Sequence, residues 1–120
     1  MQGYWPAIEL LDRRILLFSW IYTTTPYDRQ LISDDPQYFQ SRNQSWVGCP
    51  WVDLENVKLW QAAVRGARQS HGAGSAARGM MCTNWGGGRF EAGLLPTARA
   101  AWNLADPLEL DAPLTGRAQL

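Results

Sequence analysis

The stretch SWVGCPWVDLENVKLWQAAVRGARQS, Ser45 to Ser70, carries a strand-to-helix transition in one run of sequence. Ser45 to Cys49 is short, apolar and β-compatible, and Pro50 ends it. Asp53 stands where a helix N-cap belongs. Val57, Trp60, Val64 and Ala67, with Ala63 beside them, then recur at three- and four-residue steps up to Ser70. A strand leading into an amphipathic helix is half of a parallel crossover unit, so the segments on either side decide the fold.

Upstream, RILLFSWIY (Arg14 to Tyr22) is rich in Ile, Leu and aromatics and is stopped by Thr-Thr-Thr-Pro, the pattern of a strand buried on both faces. Thr23 to Gln44 is polar and broken by Pro26, Asp34, Asp35 and Pro36. The expectation there is loop, with at most a short helical turn from Pro36 to Arg42. Downstream, HGAGSAA (His71 to Ala77) is a small-residue helix exit. A third strand follows over Gly79 to Asn84, and the glycines Gly86 to Gly88 form its exit. A second helix has Pro96 in its first turn and Leu95, Ala98, Trp102 and Ala105 on one face. The expected spans are strands near 14–22, 45–50 and 78–85 and helices near 54–70 and 91–105. From Asp106 the DPLELDAPLTGRAQL tail has two prolines and little periodicity, so 1–105 reads as one structural unit and 106–120 as a C-terminal tail.

Strand, loop, strand, helix, strand, helix, with no tight hairpin signal between the strands, is the rhythm of a parallel α/β protein. Three strands make a small parallel sheet, and such sheets are normally covered on both faces. The chain therefore reads as incomplete: roughly the last three units of a (β/α)8 barrel, a fold of about 250 residues, with further strands expected beside the first one.

Charge removes one class of function. Eleven Lys and Arg balance eleven Asp and Glu and are scattered, which does not favour a nucleic-acid surface. No stretch approaches the roughly 18 apolar residues of a membrane span, and no signal peptide opens the sequence. Cys49 and Cys82 lack the clustering of a zinc site or a C-x-x-C motif, and neither a metal nor a cofactor is expected. The compositional outlier is tryptophan, seven in 120 residues. A large rigid amphipathic side chain in such number asks for a big core or a binding face.

In parallel α/β folds ligands bind at the carboxyl ends of strands, where loops and helix N-termini converge. Here those ends carry Trp20 and Tyr22, then Trp51 and Asp53, then Asn84 and Trp85. By the two-residue period Trp20 and Tyr22 point to one side, and Trp85 shares a side with Thr83 and Met81. Flat rings edged by hydroxyl, amide and carboxylate groups suit a sugar, whose C–H face packs on an indole while its hydroxyls need fixed polar partners.

GMMCTNWGGGRFEAGLLPTARAAW resembles the last strand and helix of glycoside hydrolase family 20, the β-N-acetylhexosaminidases and their relatives. There an apolar strand runs into a T-D-W-G-D/E type motif and then a Leu/Pro-containing helix. SWVGCPW resembles that family's penultimate strand, NVKLWQAAVRGARQSHGAG the helix after it, and ILLFSWIY the strand before, which ends in Trp-x-Tyr. The likeness spans about residues 10 to 105. It implies a carbohydrate partner of the N-acetylhexosamine type, the missing N-terminal part of a barrel, and substrate contacts from Trp20, Tyr22, Trp51, Asn84, Trp85 and Glu91. It implies no catalytic residue in this chain. The family's Asp-Glu pair, which holds the acetamide and protonates the leaving oxygen, lies on the fourth strand of the barrel, upstream of these segments. Around the final tryptophan this chain also departs from the family: Asn84 and Gly87 stand where acidic residues are usual, so Asn84 or Glu91 would have to replace a lost carboxylate contact.

Plainer readings stand beside these. Trp85 could plug the end of a core; Trp60 and Trp102, on helical apolar stripes, are core residues. Asp34 and Asp35 are adjacent on a polar segment and read as solvated or capping. His71 reads as a helix C-terminal residue complementing the dipole. Cys49 and Cys82 read as buried free thiols. Gly86 to Gly88 lack the rest of a phosphate-binding motif. Two functions from different classes remain: the sugar-binding end of a hydrolase barrel, and a small α/β ligand- or protein-binding domain whose exposed aromatics mark a partner surface. The first expects an open sheet edge at Arg14 to Tyr22 and one uncovered face; the second expects both faces covered.

Overall fold

The computed structural model describes residues 5–84 and 90–101, with only the backbone for residues 5, 6 and 90–93. After a single turn, α1 (Trp5–Ile8), three β/α units follow one another. They are β1 (Leu17–Ser19) with α2 (Pro26–Ser41), β2 (Trp46–Gly48) with α3 (Leu54–His71), and β3 (Ala77–Met80) with α4 (Phe90–Ala101). The strands form one parallel sheet in the order β1-β2-β3. The expected parallel α/β organisation is therefore present, with shorter strands than the apolar runs suggested. Pairing continues past their carboxyl ends, where Cys49 N–H donates to Ser19 O (3.0 Å) and Thr83 N–H to Pro50 O (3.1 Å).

The segment expected to be loop is instead the sixteen-residue helix α2. Its start is written in Thr25-Pro26: the Thr25 hydroxyl accepts from the Asp28 N–H, and Pro26 occupies the first turn, where its missing N–H costs nothing. Ile32, Pro36 and Phe39, at steps of four and three, are its buried stripe. Pro36 leaves the Ile32 carbonyl without its helical donor, a cost offset by burial of the ring. Asp34 and Asp35 thus lie on a helix and not a loop, and Asp34 accepts from Gln30 Nε2 at 2.8 Å, one turn away.

Right-handed crossovers between strands taken in sequential order put α2 and α3 on the same face of the sheet. The core lies between them: Ile32 and Phe39 from α2, Trp60 and Val64 from α3, and Trp46 and Ala77 from the sheet form one buried cluster. Asp53 caps α3 as expected, accepting from the N–H groups of Glu55 (2.7 Å) and Asn56 (3.1 Å). At the other end Gly72 donates back to Arg68 O, and His71 closes the helix, exposed.

Two expectations need correction. Pro96 lies in the interior of α4 and not in its first turn, because the helix begins at Phe90. The buried side of α4 is Pro96, Thr97 and Ala100, while Leu95 is exposed. Small residues let α4 approach α3, and Gln61 Nε2 reaches Ala100 O at 3.2 Å. Trp102 and Ala105 lie outside the described residues.

The other face of the sheet is different. Leu17 packs into the core, so Leu16, Phe18 and Trp20 point away from the helices, and all three are exposed, at 39%, 44% and 53%. The first strand is consequently not buried on both faces. Among the described residues it is also an edge, paired only with β2. At the opposite edge a bulge inserts Arg78: Trp46 pairs with Ala77 but Val47 with Gly79. Gly79 has φ +148°, a conformation a side chain would strain.

Candidate functional site

Trp20, Tyr22 and Trp51 leave the carboxyl ends of β1 and β2, and the structure brings two of them together. The rings of Tyr22 and Trp51 are 6.1 Å apart between centroids and inclined at 47°, within the range of a favourable tilted aromatic pair. Both are half-buried. The Trp51 indole Nε1 is buried with no hydrogen-bond partner among the described residues.

Trp20 takes another role. It projects on the open face with Phe18, and its indole N–H donates to the sulfur of Cys49. Cys49 is wholly buried, and burial pushes its thiol up to about 11, against a smaller downward pull from that indole. Both cysteines are free thiols, Cys49 buried and Cys82 half-buried.

On the third strand the Thr83 hydroxyl donates to Pro50 O at 2.9 Å, tying that strand's end to the turn that carries Trp51. Asn84 follows directly and is exposed. Trp85 lies outside the described residues, and Glu91 belongs to α4 by its backbone while its side chain is outside them. Tyr22 and Trp51 therefore stand in contact, Trp20 and Asn84 are solvent-facing at the ends of the two outer strands on either side of β2, and Trp85 and the Glu91 side chain lie outside the described residues.

Carboxylates at this end are engaged structurally. Asp53 caps α3. Asp28 accepts from the hydroxyls of Thr23 and Thr25 (2.5 Å for Thr25), and these bonds, that of Thr23 foremost, hold its carboxyl below the usual range. Glu55 pairs with Arg29, joining the first turns of α3 and α2, while Arg29 Nε donates to Thr24 O at 2.9 Å. Among the described residues no group of three or more His, Cys, Asp or Glu side chains could hold a metal ion. None of the described helices is long and apolar enough to cross a membrane. A groove of about 790 Å3 runs between α2 and α3 from Arg29 to His71, along the helices and away from the aromatic pair.

Sequence reasoning missed Asn56. This residue is completely buried in the first turn of α3, and its carboxamide touches both loops that carry the aromatic pair. A polar residue three positions after an N-cap reads as ordinary first-turn solvation; only the packing of α3 under the strand ends turns it inward. No protein-family model, curated protein or solved structure matches the chain, so the family resemblance rests on the residues at the strand ends alone.

Proposed function

We propose that this chain forms the last β/α units of a glycoside hydrolase family 20-like barrel and supplies one aromatic wall of an N-acetylhexosamine site. The observation that carries the reading is the Tyr22–Trp51 pair at the carboxyl ends of adjacent parallel strands, the end at which such folds bind ligands. Trp20 adds a half-exposed indole on the same end. The barrel part of the reading is supported by the apolar row Leu16, Phe18 and Trp20 and by the edge position of β1 among the described residues, since parallel sheets are otherwise covered on both faces. Further strands continuing from β1 would curl over that row and bury it.

The exposed aromatics Phe18 and Trp20 also suit a second reading, a small α/β domain that binds a protein partner through this face, although a self-sufficient domain is expected to cover both faces of its sheet. One titration separates the two. The tryptophan indole N–H resonances of the 15N-labelled chain are followed while N,N′-diacetylchitobiose is added, with cellobiose as control. A single wall offers few contacts, so the expected affinity is on the order of millimolar. Saturable shifts at Trp20 and Trp51 with the N-acetylated sugar only support the hydrolase reading. Absence of any saturable shift, or equal shifts with cellobiose, removes it and leaves the partner surface.

A further inference from the structure

We propose that Asn56 is a positioning residue of the aromatic pair, a side chain that sets Tyr22 and Trp51 against each other. Its Nδ2 donates to Ile21 O (2.8 Å) and Thr23 O (3.4 Å), the carbonyls on either side of Tyr22. Its Oδ1 accepts from the backbone N–H of Trp51 at 3.3 Å. One planar group therefore holds the main chain around one ring with its nitrogen and the main chain of the other ring with its oxygen. The rigid base for this clamp is α3 itself, because the Asn56 backbone N–H is fixed by Asp53.

The chemistry narrows the choice of residue. A buried carboxamide is costly unless its bonds are made, and here both N–H groups and one lone pair are used. Aspartate would place an oxygen against two carbonyl oxygens; leucine would fill the space and release both loops. Trp60 also reaches Ile21 O, through its indole N–H at 3.1 Å, yet among the described residues it donates only to this loop and not to the one that carries Trp51. Asn56 is thus distinguished from a core residue by joining two loops whose side chains meet.

The functional arm of this inference rests on the sugar-site reading; the geometric arm does not. Asn56→Ala and Asn56→Asp are compared with Trp60→Phe in the full chain by NMR, reading Tyr22–Trp51 ring NOEs, the Trp46 indole resonance as a report of the core, and N,N′-diacetylchitobiose affinity. Both Asn56 variants are expected to keep the core signal, lose the ring NOEs and bind the sugar on the order of tenfold more weakly, the size of losing a buried hydrogen-bonded group. Trp60→Phe is expected to lower stability and keep the NOEs. At acidic pH the protonated Asn56→Asp carboxyl regains a donor and should restore part of the NOE intensity. The proposal is overturned if the NOEs persist in the Asn56 variants, if Trp60→Phe abolishes them equally, or if neither Asn56 variant folds around Trp46. If wild type shows no sugar binding but the NOEs follow Asn56, the sugar reading fails and the clamp stands.

Discussion

The indole of Trp60 lies close against the backbone of Gly48: a Cβ built on Gly48 would meet Cε3 of the ring at 2.6 Å and Cδ2 at 3.0 Å. The central strand and α3 are therefore packed closer than any side chain at this position permits. Because Trp60 is wholly buried and its N–H is held by Ile21 O, the ring cannot swing aside. Gly48→Ala is expected to lower the unfolding free energy by ~1–3 kcal/mol, the cost of overpacking a filled core. Urea unfolding of the variant checks it; an unchanged midpoint would show that the sheet and helix can separate without penalty.

Cys49 links burial to pH. Its thiol is pushed from 9.0 to about 11, so between these values the unfolded chain loses a proton that the folded chain keeps. The folded state binds more protons there, and stability must fall as pH rises through this window. The full difference amounts to on the order of 3 kcal/mol, and Cys49→Ala should flatten the alkaline limb of a stability–pH curve while adding its own small cavity cost. Thiol labelling of the native chain at neutral pH should modify Cys82 first, since Cys49 is inaccessible. Equal labelling rates would show that the open face admits reagent to Cys49.

The start of α2 can be tested at one hydroxyl. Thr25→Ala removes the acceptor for Asp28 N–H and one of the two hydroxyl donors to the Asp28 carboxylate. The expected loss is ~1 kcal/mol, as for other N-cap deletions. Because the Asp28 carboxyl is held low, its contribution is present above the unfolded carboxylate range and disappears as pH falls through the folded value. The difference between wild type and Thr25→Ala should therefore shrink on acidification. A difference independent of pH would separate the cap from the carboxylate.

These residues also show where the sequence was legible. The α3 stripe of Val57, Trp60 and Val64 and its Asp53 cap were readable because each position obeys a local rule, and each is placed as that rule requires. The three parallel strands followed from apolar runs separated by crossover-length segments. Helix α2 is obscured in the sequence because Pro26 and Pro36 read as breakers, although Pro26 at a helix start is a signal for the helix and the spacing of Ile32, Pro36 and Phe39 is helical. Helical spacing alone puts Leu95 on a face with Ala98, Trp102 and Ala105, whereas close approach of α4 to α3 selects Pro96, Thr97 and Ala100. The Tyr22–Trp51 contact follows from strand-end convergence, while Asn56 depends on a tertiary placement that no local spacing encodes.

Hydrolysis is the next outcome open to test. Asp53, Asp28 and Glu55 at the strand-end side are committed to a helix cap, two hydroxyls and an ion pair. A general acid needs a carboxyl free to reach the leaving oxygen, and acid catalysis needs it preorganised. The purified chain is expected to release no chromophore from an aryl N-acetylglucosaminide. Turnover that disappears on Glu55→Gln or Asp53→Asn would contradict this and assign a carboxylate within the chain to the chemistry.

Trp20 and Trp60 provide the sharpest contrast between binding and stability. Trp20 is 53% exposed on the open face and gains little from burial, whereas Trp60 is fully enclosed between β2 and α3. If the strand ends form a sugar wall, removing the exposed indole should cost contact area with the ligand and leave the fold intact. Trp20→Ala is then expected to weaken N,N′-diacetylchitobiose binding by ~1–3 kcal/mol in a complete barrel, the range for an aromatic contact in a well-packed site. Its loss should also release the Cys49 thiol from the indole N–H, which alone held it down, so the Cys49 thiol should titrate still higher. Trp60→Ala should instead lower stability by ~3–5 kcal/mol. Calorimetric titration and thermal unfolding of both variants decide the matter. If Trp20→Ala unfolds the chain and Trp60→Ala leaves it stable, the open face is the true core side and the assignment of the wall is wrong.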